Sequence, residues 1–220
     1  SVTEKAFNVI LRDTEFNCIG CGRTDTGVHA KQFYFHFETN EQIELDVFVY
    51  KVNTLLPEDI VVRRLIKVPE GSHSRFDADS RTYKYYIHQI KNPFLTDVSY
   101  YNSRKLDLDA MNNACQCLFD YSDFTSFSKV NTETKTNNCV IKKAQWKMEG
   151  ESIVFEITAN RFLRNMVRAI VGTMLEVGLG KVTVDQFKKI IEDKNRGGAG
   201  TSVPGHGLFL TNVSYPYIRD

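Results

Sequence analysis

The segment Gly22-Arg23-Thr24-Asp25-Thr26-Gly27-Val28-His29-Ala30 sets one carboxylate in a glycine-flanked turn, with an arginine two residues before it and a histidine four after. A turn that projects a single Asp suits a covalent nucleophile or a general base. The same residue equally suits a plain turn aspartate that hydrogen-bonds its own backbone. Three ligand-binding motifs fail here. Gly22 and Gly27 have the spacing of a P-loop, but Val28 stands where a lysine must reach the phosphates. A dinucleotide loop needs a third glycine at the position of Asp25, and a carboxylate there repels a pyrophosphate. An EF-hand needs a run of alternating acidic residues, and Asp25 stands alone.

Cations and aromatics form three further groups. Arg161, Arg164 and Arg168 fall at i, i+3 and i+7, which puts them on one face of a continuous helix. Such a stripe can contact phosphates, pair an arginine with a buried carboxylate, or be a solvated face. Arg168 lies within Met166-Val167-Arg168-Ala169-Ile170-Val171, embedded in apolar residues. Arg81-Thr82-Tyr83-Lys84-Tyr85-Tyr86 interleaves rings with charges, a pattern that fits base stacking or the aromatic core face of a sheet. Just upstream, Ser72-His73-Ser74-Arg75-Phe76 adds a cation and a ring in a loop.

Metal and redox chemistry find little support. Cys18 and Cys21 have the spacing of a zinc half-site or a redox pair. On a strand, however, positions i and i+3 point to opposite faces, and Cys115, Cys117 and Cys139 offer no matching half-site. Core thiols are the better reading. The five histidines form no His-x-x-x-His pattern and no Gly-x-Ser-x-Gly elbow is present, so neither a zinc protease nor a serine hydrolase is expected.

The chain that must position these groups has 220 residues, 42% hydrophobic and 25% charged, with a net charge of +1. That composition excludes disorder, collagen and coiled coil. No run approaches the roughly 20 apolar residues of a membrane helix. An odd number of irregularly spaced cysteines predicts reduced thiols and a cytoplasmic setting. A polyanion partner would need a local basic patch, since no global basic field exists.

Periodicity places the elements. Ser1-Val2-Thr3-Glu4 reads as a capping box for a helix, and a chain that begins on a helix cap is expected to lack a preceding segment. Strands are expected at Phe16–Cys21 and around Phe33, Phe35 and Phe37, and a helix from Leu45 to a stop at Pro57. Arg81–Ile90 predicts a strand with Tyr83, Tyr85 and Ile87 on one face. Leu108–Leu118 predicts a helix, and 126–138 a polar loop. Val140–Met148 with Ile153–Ala159 predicts a hairpin. Arg161–Val177 predicts the best helix, ended by Gly178 and Gly180; Thr183–Gln186 predicts a second capping box. A glycine-rich loop over 194–207 and a strand over 208–215 close the chain. Interspersed helices and strands without strict βαβ alternation predict an α+β fold with a largely antiparallel sheet.

Together these segments resemble the tRNA pseudouridine synthase A family. The resemblance rests on Gly22–Ala30, Arg75-Phe76, Arg81–Tyr85, Phe124-Thr125-Ser126-Phe127-Ser128-Lys129, Phe162–Arg168, Gly178-Leu179-Gly180-Lys181 and Gly207-Leu208-Phe209-Leu210, in family order across nearly the whole chain. Two departures stand out. The family's opening strand, with its Tyr-Asp-Gly and Gly-Trp-Gln segments, is not found, and Gly205-His206 replaces the Pro-rich or acidic residues normal before Gly207.

The resemblance implies a pseudouridine synthase fold: two similar halves with a mixed, largely antiparallel central sheet flanked by helices and an active-site cleft between the halves. Residues 1–72 would form the half with the nucleophile loop and 73–220 the half with the Tyr strand and Arg helix. The implied activity is isomerisation of uridine to pseudouridine at tRNA positions 38, 39 and 40, with no metal, redox or nucleotide cofactor. Asp25 would be the nucleophile, Arg168 its cationic partner, and Tyr83 the ring stacked on uracil. Arg23 and Thr24 would hold the flipped base, and Leu208 would pack against it. His73, Arg75, Phe76, Arg164, Asn131 and Lys135 would touch the tRNA. The implied assembly is a symmetric homodimer, with no membrane partner.

Overall fold

The computed structural model describes residues 2–11, 17–130 and 135–218, which fall into two compact units. The smaller comprises Ser1–Gly22, Tyr34–Asp77 and Pro216–Asp220. Helix α1 (Val2–Leu11) buries Ala6 and Phe7, and α2 (Leu45–Leu55) buries Phe48 and Val52. Ser1, the expected cap of α1, lies outside the described residues. Phe7 is the hub of this unit, its ring meeting those of Phe35, Phe37 and Phe48 at 5.4, 5.5 and 5.1 Å, mostly edge to face. Strand β1 (Ile19–Gly20) pairs antiparallel with β3 (Phe35–His36). Both are shorter than the alternation predicts, since pairing rather than pattern sets a strand's length. The stop before Pro57 is as expected. Beyond it, the Asn53 amide holds residue 62 by bonds to both Val62 N and O.

The larger unit, Arg23–Phe33 and Ala78–Tyr215, carries a mixed sheet in the order β2-β8-β4-β7-β6. Its strands are β2 (His29–Ala30), β4 (Ser80–His88), β6 (Ile141–Glu149), β7 (Ser152–Ala159) and β8 (Leu208–Ser214). Short β5 (Tyr100–Tyr101) runs parallel to β4, β2 runs parallel to β8, and all other pairs are antiparallel. The period of two divides β4. Tyr83, Tyr85 and Ile87 face the core, whereas Lys84 on the other face reaches Glu149 at 2.8 Å. Helices α3 (Leu108–Cys117), α4 (Met166–Gly178) and α5 (Val184–Glu192) pack on the core face, and the capping box at Thr183 forms as predicted. The architecture is α+β, a mixed sheet flanked by helices. No helix among the described residues is long and apolar enough to cross a membrane.

Helix α4 departs from expectation. Eleven of its thirteen residues are buried, but it begins at Met166 rather than Arg161. Asn165 adopts a left-handed backbone, φ +67°, which a helix interior cannot accommodate. Arg161, Arg164 and Arg168 therefore share no helix face, and only Arg168 is helical. The loop predicted over 126–138 is also anchored, because Ser126 and Phe127 are buried and Ser126 Oγ donates to Ile190 O at 2.6 Å.

Candidate active site

Asp25 opens a four-residue turn closed by the backbone alone, Val28 N donating to Asp25 O at 3.1 Å. The third position of this turn has a positive φ, +79°, a conformation that Gly27 adopts without strain. The Asp25 carboxylate is thus not needed to close its own turn. Instead Oδ2 accepts a 2.8 Å bond from Nη1 of Arg168, 143 residues away. Nε of Arg164 lies 3.8 Å from Oδ1. Asp25 and Arg168 side chains are each 21% exposed, Arg164 60%. The pair is shielded, while Arg164 faces solvent.

The guanidinium is held at a second point. Nε of Arg168 donates to the Val203 carbonyl at 2.7 Å, and Val203 N donates back to the Arg168 carbonyl at 3.2 Å. With Nε and Nη1 both engaged, the orientation of this planar group is set. The next carbonyl, Pro204, accepts from the buried Tyr85 hydroxyl at 2.9 Å. Burial pushes that phenol well above its ordinary pKa, so it remains a donor.

Glycines let these loops meet. A Cβ on Gly205 would lie 2.5 Å from the Thr26 carbonyl, and one on Gly207 would lie 2.8 Å from Cζ of Tyr85. The departure at Gly205 thus coincides with a close approach of the Asp25 turn to the loop before β8.

Tyr83 sits opposite Leu210 and Ile157 in the sheet, its ring perpendicular to that of Phe162 with centroids 5.2 Å apart. Arg23 and Thr24 are exposed directly before Asp25. Leu208 is buried in the core at the start of β8.

In the smaller unit, His73, Arg75 and Phe76 form one turn. His73 Nδ1 accepts from the backbone of Arg75 and Phe76 at 3.1 and 3.3 Å. The His73 and Phe76 rings lie 4.3 Å apart, and the Arg75 guanidinium carbon is 5.7 Å from the Phe76 centroid. Phe76 is 75% exposed. Asp77 N donates to the His73 carbonyl at 3.0 Å, and the Asp77 carboxylate accepts from His73 N at 2.6 Å, a bond that holds its carboxyl below the usual range. Lys135 is exposed; Asn131 lies outside the described residues.

Cys21, Cys115, Cys117 and Cys139 are buried and Cys18 is half-buried, all as free thiols. Burial pushes Cys18 and Cys115 up to about 12. Among the described residues no group of three or more His, Cys, Asp or Glu is arranged to hold a metal ion.

The chemistry available at Asp25 is therefore that of one shielded, ion-paired carboxylate with the exposed Arg164 close by. Residue types flag Asp25, Arg168 and Tyr83. They do not flag the Val203 carbonyl, because a backbone acceptor carries no side-chain identity.

Known proteins sharpen this picture. The family model described as tRNA pseudouridine synthase matches residues 114–216, which include Arg164, Arg168 and Val203. A tRNA pseudouridine synthase A of Parabacteroides distasonis is 54% identical over 214 residues, covering 97% of this chain and 84% of the relative. That of Bacteroides fragilis is 54% identical over 215 residues, covering 96% and 84%. The protein of the same name from Bacillus subtilis is 37% identical over 215 residues, covering 96% and 87%. With similarity of this extent on both sides of the Asp25–Arg168 pair, the chain belongs to the tRNA pseudouridine synthase A family of isomerases.

Proposed function

We propose that this chain isomerises uridine to pseudouridine at positions 38, 39 and 40 in the anticodon arm of tRNA, with Asp25 as the nucleophile. The observation that carries the reading is the 2.8 Å pairing of Arg168 with a carboxylate whose own turn is closed without it.

The reaction breaks the bond from C1′ of the ribose to N1 of uracil and forms one from C1′ to C5. The proton on C5 leaves for solvent and N1 gains one. A target base within a stem is out of reach, so it is flipped out at a cost of a few kcal/mol. Asp25 assists the departure of uracil, either by attack at C1′ or by a glycal route. Both need an ionised carboxylate in a site poor in water, and Arg168 stabilises that state. Tyr83, braced by Phe162, stacks on the uracil. Arg23 and Thr24 hold the base out, with Leu208 beneath it.

Three neighbouring target positions preclude readout of one sequence, so recognition is by RNA shape through phosphates and 2′-hydroxyls. Arg164, Lys135 and Asn131 serve this contact, as does the turn of His73, Arg75 and Phe76. A few local cations suffice, which agrees with a net charge of +1. The active species is a symmetric dimer in which one tRNA touches both subunits, acting in the cytoplasm, where free thiols persist.

The test is release of tritium from C5 of uridine in unmodified tRNA, by the parent and by Asp25→Ala. Release by the parent alone supports the reading. Release by both removes Asp25 from the chemistry, and tRNA binding without release by either points to a non-catalytic RNA-binding protein.

A further inference from the structure

The Arg168 guanidinium takes its orientation from a loop carbonyl, and a loop carbonyl is only as fixed as its chain. The segment before Val203 is held to an unusual degree. It lies so close to α4 that a Cβ on Gly172 would come within 1.9 Å of the Thr201 carbonyl, and one on Gly200 within 2.9 Å of Thr173 Cα. Gly200 N donates to Thr173 Oγ1 at 2.9 Å.

Two side chains then converge on one hydroxyl. Asn165 Nδ2 donates to Ser202 Oγ at 2.6 Å, and Arg196 Nη2 donates to the same atom at 2.9 Å. Arg196 Nη1 also reaches the carbonyls of Ala199 and Gly200 at 3.3 and 3.2 Å. All of its bonds go to neutral oxygens, so this cation spends its donors on the course of the loop rather than on a carboxylate.

Asn165 works at both ends. Its left-handed backbone delays the start of α4, which leaves Arg164 outside the helix and Arg168 in its first turn, both near Asp25. Its side chain meanwhile grips Ser202, the residue before Val203.

We propose that Asn165, Arg196 and Ser202 form a positioning set that holds the Val203 carbonyl, and through it aims Arg168 at Asp25. The inference rests on the reading that the Asp25–Arg168 pair carries the reaction. None of the three touches the reacting atoms. A guanidinium displaced by about an ångström loses its aim without losing its charge, and such displacements cost about 100-fold in rate.

The experiment compares the parent with Ser202→Ala and Asn165→Gly in steady-state tritium release, with thermal melting as a fold check. Asn165→Gly retains access to positive φ and loses only the side-chain bond. Both variants are expected to lower kcat roughly 10- to 100-fold with KM for tRNA unchanged, and Ser202→Thr, which keeps the hydroxyl, to restore most of it. In an Arg168→Lys background, where no group spans Val203 and Asp25, Ser202→Ala should add less than about 2-fold, since residues acting through one partner are not additive.

Folded variants with kcat near the parent's would overturn the proposal, and so would an equal loss in both backgrounds. If Ser202→Ala fails to fold, Asn165→Gly decides alone. An Arg168→Lys enzyme as fast as the parent would sink the reading of the catalytic pair itself. A large loss in Arg168→Lys with none in the other variants would sink the positioning set only.

Discussion

Two turns in this molecule each carry one aspartate, and they use it in opposite ways. Asp77 accepts a 2.6 Å bond from His73 N, and Tyr217 adds its hydroxyl to the same oxygen at 3.1 Å. That carboxylate is consumed in holding its turn. Asp25 sits in a turn closed by backbone and a positive-φ glycine, so its carboxylate is spared for Arg168. A turn aspartate thus finds a local partner in one place and a distant one in another. Both turns have a backbone closing bond; what separates them is the partner of the carboxylate, the turn's own backbone for Asp77 and an arginine 143 residues away for Asp25.

The comparison breaks most easily at the carboxylates. Asp25→Asn should lower tritium release by at least about 10³-fold with tRNA binding retained, because it removes a reacting group. Asp77→Asn should leave kcat within about 2-fold, since its carboxylate holds a turn and is not a reacting group. Comparable losses in the two variants would erase the distinction drawn between the turns.

The next largest effect belongs to the partner. Arg168→Lys keeps the charge but cannot bond Val203 O and Asp25 together, and kcat should fall about 100-fold. A glycine pair then tests how the Asp25 turn is seated. Gly205→Ala forces a Cβ against the Thr26 carbonyl and should cost roughly 10-fold in kcat. Gly22→Ala, with open space around its Cβ, should be silent, and the same release assay reads both.

The smallest effect is on stability. The folded state holds Asp77 below its ordinary value of about 3.9, so its contribution is complete above that pH and fades as pH falls through the folded value. Asp77→Asn should therefore melt below the parent at neutral pH, with the gap closing as pH falls below the ordinary carboxylate range. A gap that persists in acid would show that the charge is not what matters there.

Much of the frame was legible because it is local. The hairpin of β6 and β7, the alternation along β4, the Thr183 capping box and the apolar run of α4 each declare themselves within a short window. The start of α4 was not legible, since Asn165 reads as an ordinary helix residue until its side chain finds Ser202, 37 residues away. The arginine stripe failed for that reason, although two of its members still reach Asp25 by another route.

From sequence alone, the chain determined its family, its α+β class and the residue types at its centre, because side-chain chemistry and period are written residue by residue. Only the tertiary structure decided which partner the Asp25 carboxylate takes. Its partner stands across 143 residues of chain, and that partner is aimed by a carbonyl that any residue could have supplied.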